Sequence, residues 1–319
     1  MSRKPKVLLT NSIYPASQKK LEEFCEVIVA PDTKAETLKT LINGCDGLIV
    51  RCQLPEDIFE GVDSLKAVIR HGVGLDFIPV AAATRKKIPV ANLPGSNTRA
   101  VVEYCLATIF YFRRKLDQID RQLRIEGWNK ARPLADSSTE IQGTTLGILG
   151  VGAIGSQLTK AAIGLGMNVI GFTRRPESMP EGIKSVSKTE LFQQSDIVII
   201  SCPLNDETRG LVNKTMIDSM KPNAILINIA RGPIVDSAAI VAALKEGRLA
   251  GAAMDVHDHH PLDGKETVFK APNLLLTPHI ASITATSLQK MSEGSVDTLL
   301  KILEGQRPTN IVNLEVFSN

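Results

Sequence analysis

The densest chemical signal in the chain is the run Gly147-Ile148-Leu149-Gly150-Val151-Gly152-Ala153-Ile154-Gly155. It ends the apolar strand pattern Thr145–Leu149 and opens a helical pattern over Ala153–Leu165. Strand, tight GxGxxG turn and helix in that order form a dinucleotide fingerprint. Gly150 permits the turn, Gly152 lets a pyrophosphate approach the backbone, and Gly155 lets helix pack on strand. The helix N-terminus attracts the phosphate charge, so Gly150, Gly152, Ala153, Ile154 and Gly155 are assigned to the cofactor. The next strand pattern, Asn168–Phe172, should end on an Asp or Glu if it takes the ribose hydroxyls of NAD. The chain has Thr173-Arg174-Arg175 there. A carboxylate would repel a 2′-phosphate, whereas a hydroxyl followed by two guanidiniums would bind one. NADP(H) is therefore favoured, with NAD(H) the alternative; two solvated arginines in a turn are the bland reading.

Three of the five histidines fall in His257-Asp258-His259-His260. A metal site on His257, His259 and His260 is one reading, but such crowding suits an exposed stretch better than the preorganised geometry of a structural metal. No metal is expected. Cys25, Cys45, Cys52, Cys105 and Cys202 are odd in number and form no CxxC pair. They read as reduced thiols in a reducing compartment.

These residues need elements to position them. Short aliphatic runs alternate with amphipathic stretches, the pattern of βα units on a parallel sheet. Strands are expected at Lys6–Thr10, Val27–Ala30, Gly47–Arg51, Ala67–Arg70 and Pro89–Asn92, with helices such as Gln18–Phe24 and Ala35–Leu41 between them. A long helix begins after Thr98 as its N-cap, and Asn129–Gln142 reads as a loop. Strands then recur at Thr145–Leu149, Asn168–Phe172, Asp196–Ser201, Ala224–Asn228 and Ala250–Asp255. A last helix, Ser287–Leu303, could return to the first unit.

Composition narrows the field. With 319 residues the chain suits two domains, and with aromatics at only 4% its core must be aliphatic. A net charge of +3 without a dense basic run argues against a nucleic-acid partner. No apolar stretch is long enough for a bilayer, and the segment Val7–Leu9 is too short for a signal peptide. A cytoplasmic protein without a membrane partner is expected.

Several separated motifs resemble the D-isomer-specific 2-hydroxyacid dehydrogenases over nearly the whole chain. They are Arg70-His71-Gly72-Val73-Gly74-Leu75-Asp76, Asn92-Leu93-Pro94-Gly95-Ser96-Asn97-Thr98, the glycine run, and Cys202-Pro203-Leu204-Asn205-Asp206-Glu207-Thr208-Arg209-Gly210. Asn228-Ile229-Ala230-Arg231-Gly232, Ala253-Met254-Asp255-Val256 and Thr277-Pro278-His279-Ile280-Ala281 complete the set. The resemblance implies an α/β fold of two doubly wound parallel-sheet domains. A Rossmann cofactor domain (99–287) would be inserted in a flavodoxin-like substrate domain (1–98 and 288–319), with the active site in the cleft and a homodimer built on the helix–loop region near Trp128. Trp128 itself reads as a packing residue.

By the same resemblance, Arg231 would hold the substrate carboxylate and polarise the C2 carbonyl, as a permanently charged planar fork can. His279 would be the acid/base, with an imidazole pKa near neutrality. Val73 and Gly74 N–H groups would complete the carboxylate site, and Asp255 would contact the nicotinamide carboxamide. Cys202, Pro203, Thr208, Ile229 and Ala230 would line the cofactor channel beside Arg231. Arg51 and His71 end strands that should point at the cleft, where an extra cation would suit a substrate with a second anionic group.

The chain departs from the family at one point. The family's Phe-x-x-Glu-Pro reads His257-Asp258-His259-His260-Pro261 here, so His260 replaces the Glu that orients the catalytic His. A carboxylate would raise the pKa of His279 and fix its tautomer; a neutral imidazole can only fix the tautomer. His260 as orienter, Asp258 as the charge, and an impaired site are the readings that follow. The expected activity is reversible hydride transfer between NAD(P)H and a small 2-keto/2-hydroxy acid such as glyoxylate or hydroxypyruvate. An NAD(P)-sensing, corepressor-like binding protein is the rival, opposed by Arg231 and His279. A formate dehydrogenase shares that pair but would carry a Gln beside the His.

Overall fold

The computed structural model describes residues 3–259 and 262–318. It divides into two compact units, Met1–Asn97 with Ile283–Asn319, and Thr98–Ser282.

The first unit contains strands β1 (Lys6–Leu9), β2 (Glu26–Val29), β3 (Gly47–Val50), β4 (Ala67–Arg70) and β5 (Val90–Ala91), with helices α1 (Pro15–Phe24), α2 (Ala35–Leu41) and α3 (Val80–Arg85). All strand pairs are parallel, in the order β2-β1-β3-β4-β5. That is the flavodoxin-like order. Side chains alternate between the faces of a strand, and both faces are covered. Leu8, Leu48, Val50 and Val68 pack with Leu38, Ile42 and Ala83 on one side. Val7, Leu9, Ile49 and Ile69 pack with Leu21 of α1 and with Val296, Leu299 and Ile302 of the C-terminal helix, Ala285–Leu303, on the other. This helix comes so close to β3 that a Cβ on Gly47 would lie 2.8 Å from the Leu299 side chain. Thr284 caps the helix through the Ser287 N–H.

The second unit opens with α4 (Thr98–Arg114), α5 (Leu116–Glu126) and α6 (Trp128–Ala131). Then come β6 (Thr145–Leu149), α7 (Ala153–Gly164), β7 (Asn168–Phe172), β8 (Lys184–Ser185), α8 (Lys188–Gln194), β9 (Ile197–Ile200), α9 (Lys214–Asp218), β10 (Ala224–Asn228), α10 (Ser237–Lys245), β11 (Leu249–Met254) and β12 (Leu274–Leu276). Its sheet is also wholly parallel, in the order β12-β11-β10-β9-β6-β7-β8. The chain winds outward from β6 in both directions, which is the Rossmann arrangement with one strand added. Leu146, Ile148, Ile197 and Ile227 meet α4 and α7, while Val198, Ile200 and Leu226 meet α8 to α10.

Three local expectations need correction. Thr98 is the first helical residue of α4 rather than its cap. The stretch expected as loop, Asn129–Gln142, holds part of α6 and a 3-10 turn over Arg132–Ser137. Trp128 is not packed: it is 69% exposed, beside Ile125 at 72%. Among the described residues no helix is long and apolar enough to cross a membrane.

Candidate active site

Because every strand of the second sheet is parallel, the loops leaving the carboxyl ends of β6, β7, β9, β10, β11 and β12 lie along one edge. Open α/β sheets bind ligands at that edge, where the strand order reverses; here the reversal falls between β6 and β9.

The three fingerprint glycines do different things. Gly150 has φ +99°, and a Cβ there would lie 2.5 Å from the backbone nitrogen of Cys202, so the loops after β6 and β9 touch backbone to backbone. A Cβ on Gly155 would meet the Gly150 carbonyl and the Ile148 side chain at 3.2 Å, which keeps α7 close on β6. Around Gly152 a Cβ would meet nothing within 4 Å. Gly152 is also the N-cap of α7 and offers no side chain to the first turn, where Ala153 and Ile154 stand. Open space beside uncapped N–H groups fits a pyrophosphate.

At the end of β7, Thr173 is half-buried while Arg174 and Arg175 are exposed. Arg174 Nη1 lies 3.2 Å from Glu207 Oε2. Beyond β9, Cys202 is buried, which pushes its thiol up to about 11, with Arg174 opposing. The turn that follows is stapled by its own side chains. Thr208 Oγ1 donates to the Pro203 carbonyl at 2.7 Å and accepts from the Asn205 N–H at 2.8 Å.

Arg231 follows β10 on a pinned turn. The fully buried Asn228 accepts from the Ala230 N–H at 3.0 Å through Oδ1 and donates through Nδ2 to the Arg231 carbonyl at 3.0 Å. Ile229 and Ala230 are buried by the same turn. Gly232 then presses on the next loop: a Cβ there would overlap the backbone carbonyl of His257.

His279 sits beyond β12 with φ +57°, a conformation that disfavours side chains. Its N–H donates to the Asp255 carbonyl at 2.8 Å. The Asp255 carboxylate accepts from the N–H groups of Ile280 at 2.7 Å and Ala281 at 2.8 Å, and from Thr277 Oγ1 at 2.7 Å. Tyr104 of α4 adds its hydroxyl to Thr277 Oγ1 at 2.7 Å. Burial pushes the Asp255 carboxyl above its ordinary range, and these donors pull against it, Thr277 foremost. Asp255 is 1% exposed, and both its oxygens accept from the chain's own donors, so it holds the His279 loop in place.

Of the histidine-rich stretch, His257 is buried with Nε2 3.0 Å from the Thr277 carbonyl, a second brace for the same loop. His259 Nε2 lies 3.0 Å from Glu266 Oε1, which also accepts the Asp263 N–H. The Asp263 backbone N–H first, and His259 after it, hold the Glu266 carboxyl down at about 2. Asp258 accepts from Ser237 at 3.2 Å, an engagement that turns it toward α10. These side chains line a cavity of about 340 Å³ with Asp236. His260 lies outside the described residues. Among those residues no three His, Cys, Asp or Glu are grouped to hold a metal.

In the first unit, the loop after β4 carries Val73 and Gly74. Arg70 donates from Nε to the Gly74 carbonyl and from Nη1 to the His71 and Val50 carbonyls, each at 3.0 Å, with its guanidinium 4.5 Å over the Phe77 ring. Asn92 Nδ2 donates to the Val73 carbonyl at 2.7 Å. The carbonyls of the loop are thus tied back, while Gly72 takes a φ of +145°. His71 cannot be the extra cation expected of it. It is 4% exposed, 2.9 Å from Ser292 Oγ, and burial, with Arg51 nearby, lowers its pKa to about 3. The Arg51 guanidinium donates to the Ser12 carbonyl.

Comparison with known proteins agrees with this geometry. The profile of the D-isomer specific 2-hydroxyacid dehydrogenase, NAD binding domain, matches residues 106–281. The chain belongs to this family. A glyoxylate reductase of Thermococcus litoralis is 35% identical, with 99% of each chain covered. A protein of Thermus thermophilus superposes with a TM-score of 0.88 at 33% identity, covering 96% of this chain and 99% of the other. An NADPH-dependent glyoxylate/hydroxypyruvate reductase from Sinorhizobium meliloti, solved with NADP and malonate, gives a TM-score of 0.85 at 27% identity and 98% of both chains. The family fixes a nicotinamide-cofactor oxidoreductase with a Rossmann unit.

Asn228 and Thr277 stand in motifs quoted above but were given no role there, and Tyr104 was missed. An Asn closing the otherwise aliphatic β10 was the one available signal, since a polar side chain at such a place must be hydrogen-bonded.

Proposed function

We propose that this protein reduces a small 2-keto acid, of the glyoxylate or hydroxypyruvate kind, to the 2-hydroxy acid, with NADPH favoured over NADH. The observation that carries the reading is the bracing of Arg231 and His279. Each stands on a loop leaving the carboxyl edge of the fingerprint-bearing sheet, one held by Asn228 and the other by Asp255. The nicotinamide supplies a hydride when bound. Gly150, Gly152, Gly155 and the start of α7 would hold the pyrophosphate, and Thr173, Arg174 and Arg175 the 2′-phosphate. Arg231 binds the substrate carboxylate and polarises the C2 carbonyl. His279 gives a proton to the C2 oxygen on reduction and takes it back on oxidation.

A panel of 2-keto acids assayed with NADPH and NADH, followed by absorbance of the reduced nicotinamide, tests this. Arg231→Ala should lose keto-acid binding and rate together, while His279→Ala should mainly lower turnover, by about 10²–10⁴. Unchanged turnover in His279→Ala would remove it as the acid.

Leu116, Ile125 and Trp128, which are 64%, 72% and 69% exposed on α5 and α6, support a homodimer through that segment. Sedimentation of Trp128→Glu alongside the unmodified protein tests it: a dimer in both places the contact elsewhere, and a monomer in both removes it.

A further inference from the structure

We propose that Glu207 is a specificity-determining residue: it pairs with Arg174 and weakens binding of a 2′-phosphorylated cofactor. The proposal rests on the reading of Thr173-Arg174-Arg175 as the 2′-phosphate site.

Arg174 stands two residues beyond β7 and Glu207 on the turn after β9, so the contact joins two different loops at the carboxyl edge. Glu207 is not a loosely tethered acid. Its own N–H and that of Thr208 both donate to Asn205 Oδ1 at 3.0 Å, and Thr208 closes the turn on Pro203. The backbone of this turn therefore presents the carboxylate from a fixed place. Arg174 Nη1 donates to it at 3.2 Å.

A guanidinium binds phosphate most strongly through two parallel N–H groups. With one edge of Arg174 held by a carboxylate, an arriving 2′-phosphate must displace that partner and then sit near its negative charge. A ribose 2′-hydroxyl meets neither penalty. Glu207 thus acts on one cofactor and spares the other. Both side chains are largely in water, at 65% and 70% exposed, so the pair is weak and displaceable. It biases the choice without blocking the site.

Equilibrium binding by calorimetry tests this without turnover. NADPH, NADH, adenosine 2′,5′-bisphosphate and 5′-AMP are titrated into the unmodified protein, Glu207→Gln, Glu207→Lys and Arg174→Ala, with thermal melting to confirm folding. In Glu207→Gln the two 2′-phosphorylated ligands should bind about two- to fivefold tighter, the range of an exposed ion pair, while NADH and 5′-AMP move less. Glu207→Lys should extend the gain, and added salt should shrink it. If the bisphosphate and 5′-AMP shift equally, or neither shifts, the assignment of Glu207 is overturned. If Arg174→Ala leaves bisphosphate affinity intact, the 2′-phosphate reading falls and the proposal with it. Weakened binding in Arg174→Ala with no change in Glu207→Gln leaves the reading standing and overturns the proposal alone.

Discussion

Asp255 holds His279 twice: its carbonyl accepts the histidine N–H at 2.8 Å, and its carboxylate accepts the next two N–H groups, of Ile280 and Ala281. A turn with φ +57° at a histidine needs such partners, because an L side chain in the left-handed region costs about 1–2 kcal/mol. Asp255→Asn keeps one acceptor and turns an amide N–H₂ toward a buried N–H donor. The expected loss is about 1–3 kcal/mol in urea denaturation, the cost of an unsatisfied buried group. Turnover should fall more than the KM for glyoxylate rises. A fully stable, fully active Asp255→Asn protein would show that the loop is held elsewhere.

Gly232 is constrained by backbone. A methyl there would collide with the carbonyl carbon and oxygen of His257, and neither atom can swing aside as a side chain could. Gly232→Ala should therefore destabilise by about 1–3 kcal/mol, as overpacking does. Because Arg231 moves with it, the keto-acid KM should rise. Thermal melting and steady-state kinetics check the two halves, and an unchanged KM in a destabilised variant would separate Arg231 from the strain.

Gly152 is the opposite case. With nothing within 4 Å and a φ of −103°, Gly152→Ala should change stability by no more than about 0.5 kcal/mol. Cofactor binding should nonetheless weaken, since the methyl enters the space assigned to the pyrophosphate. Unaltered NADPH and NADH affinity in calorimetry would move the phosphate site away from this residue.

His71 gives the fold a pH dependence. In the unfolded chain its imidazole takes a proton near the ordinary value of 6.5, but in the folded protein burial delays this to about 3. The unfolded state thus binds more protons between those values, and stability falls as pH drops through that window. The slope contributed is at most about 1.4 kcal/mol per pH unit, and above the window His71 contributes none. His71→Gln, whose amide can still donate to Ser292, should lose this slope when urea denaturation is followed from about pH 7 to pH 4. An identical slope in the variant would assign the effect to other groups.

Most of the architecture was legible because aliphatic runs mark buried parallel strands: Ala67–Arg70, Thr145–Leu149 and Asn168–Phe172 stand where the pattern puts them. Two strands were not read: β8 is two polar residues, Lys184 and Ser185, with no such run, and the three leucines of β12 make too short a run after a Pro-Asn turn. The break between α4 and α5 comes from Lys115 at φ +51°, which no residue type announces. At the site, the glycine spacing could be read because each glycine answers a steric need. The work of Asp255 could not, since a buried carboxylate's partners are backbone N–H groups that every residue carries.

The discontinuous first unit also sets an order of birth. On the ribosome β1 to β5 emerge early, but Val296, Leu299 and Ile302, which cover Val7, Leu9, Ile49 and Ile69, are made only after residues 98–282. At ordinary elongation rates that is a delay of about 10–40 s. Through that interval one face of a nascent parallel sheet is covered only in part, by Leu21 of α1, while the inserted unit, whose residues are contiguous, can already close. The earliest segment of the chain is thus the last to be finished, and the stretch whose exposure invites association or chaperone capture is its N-terminal third.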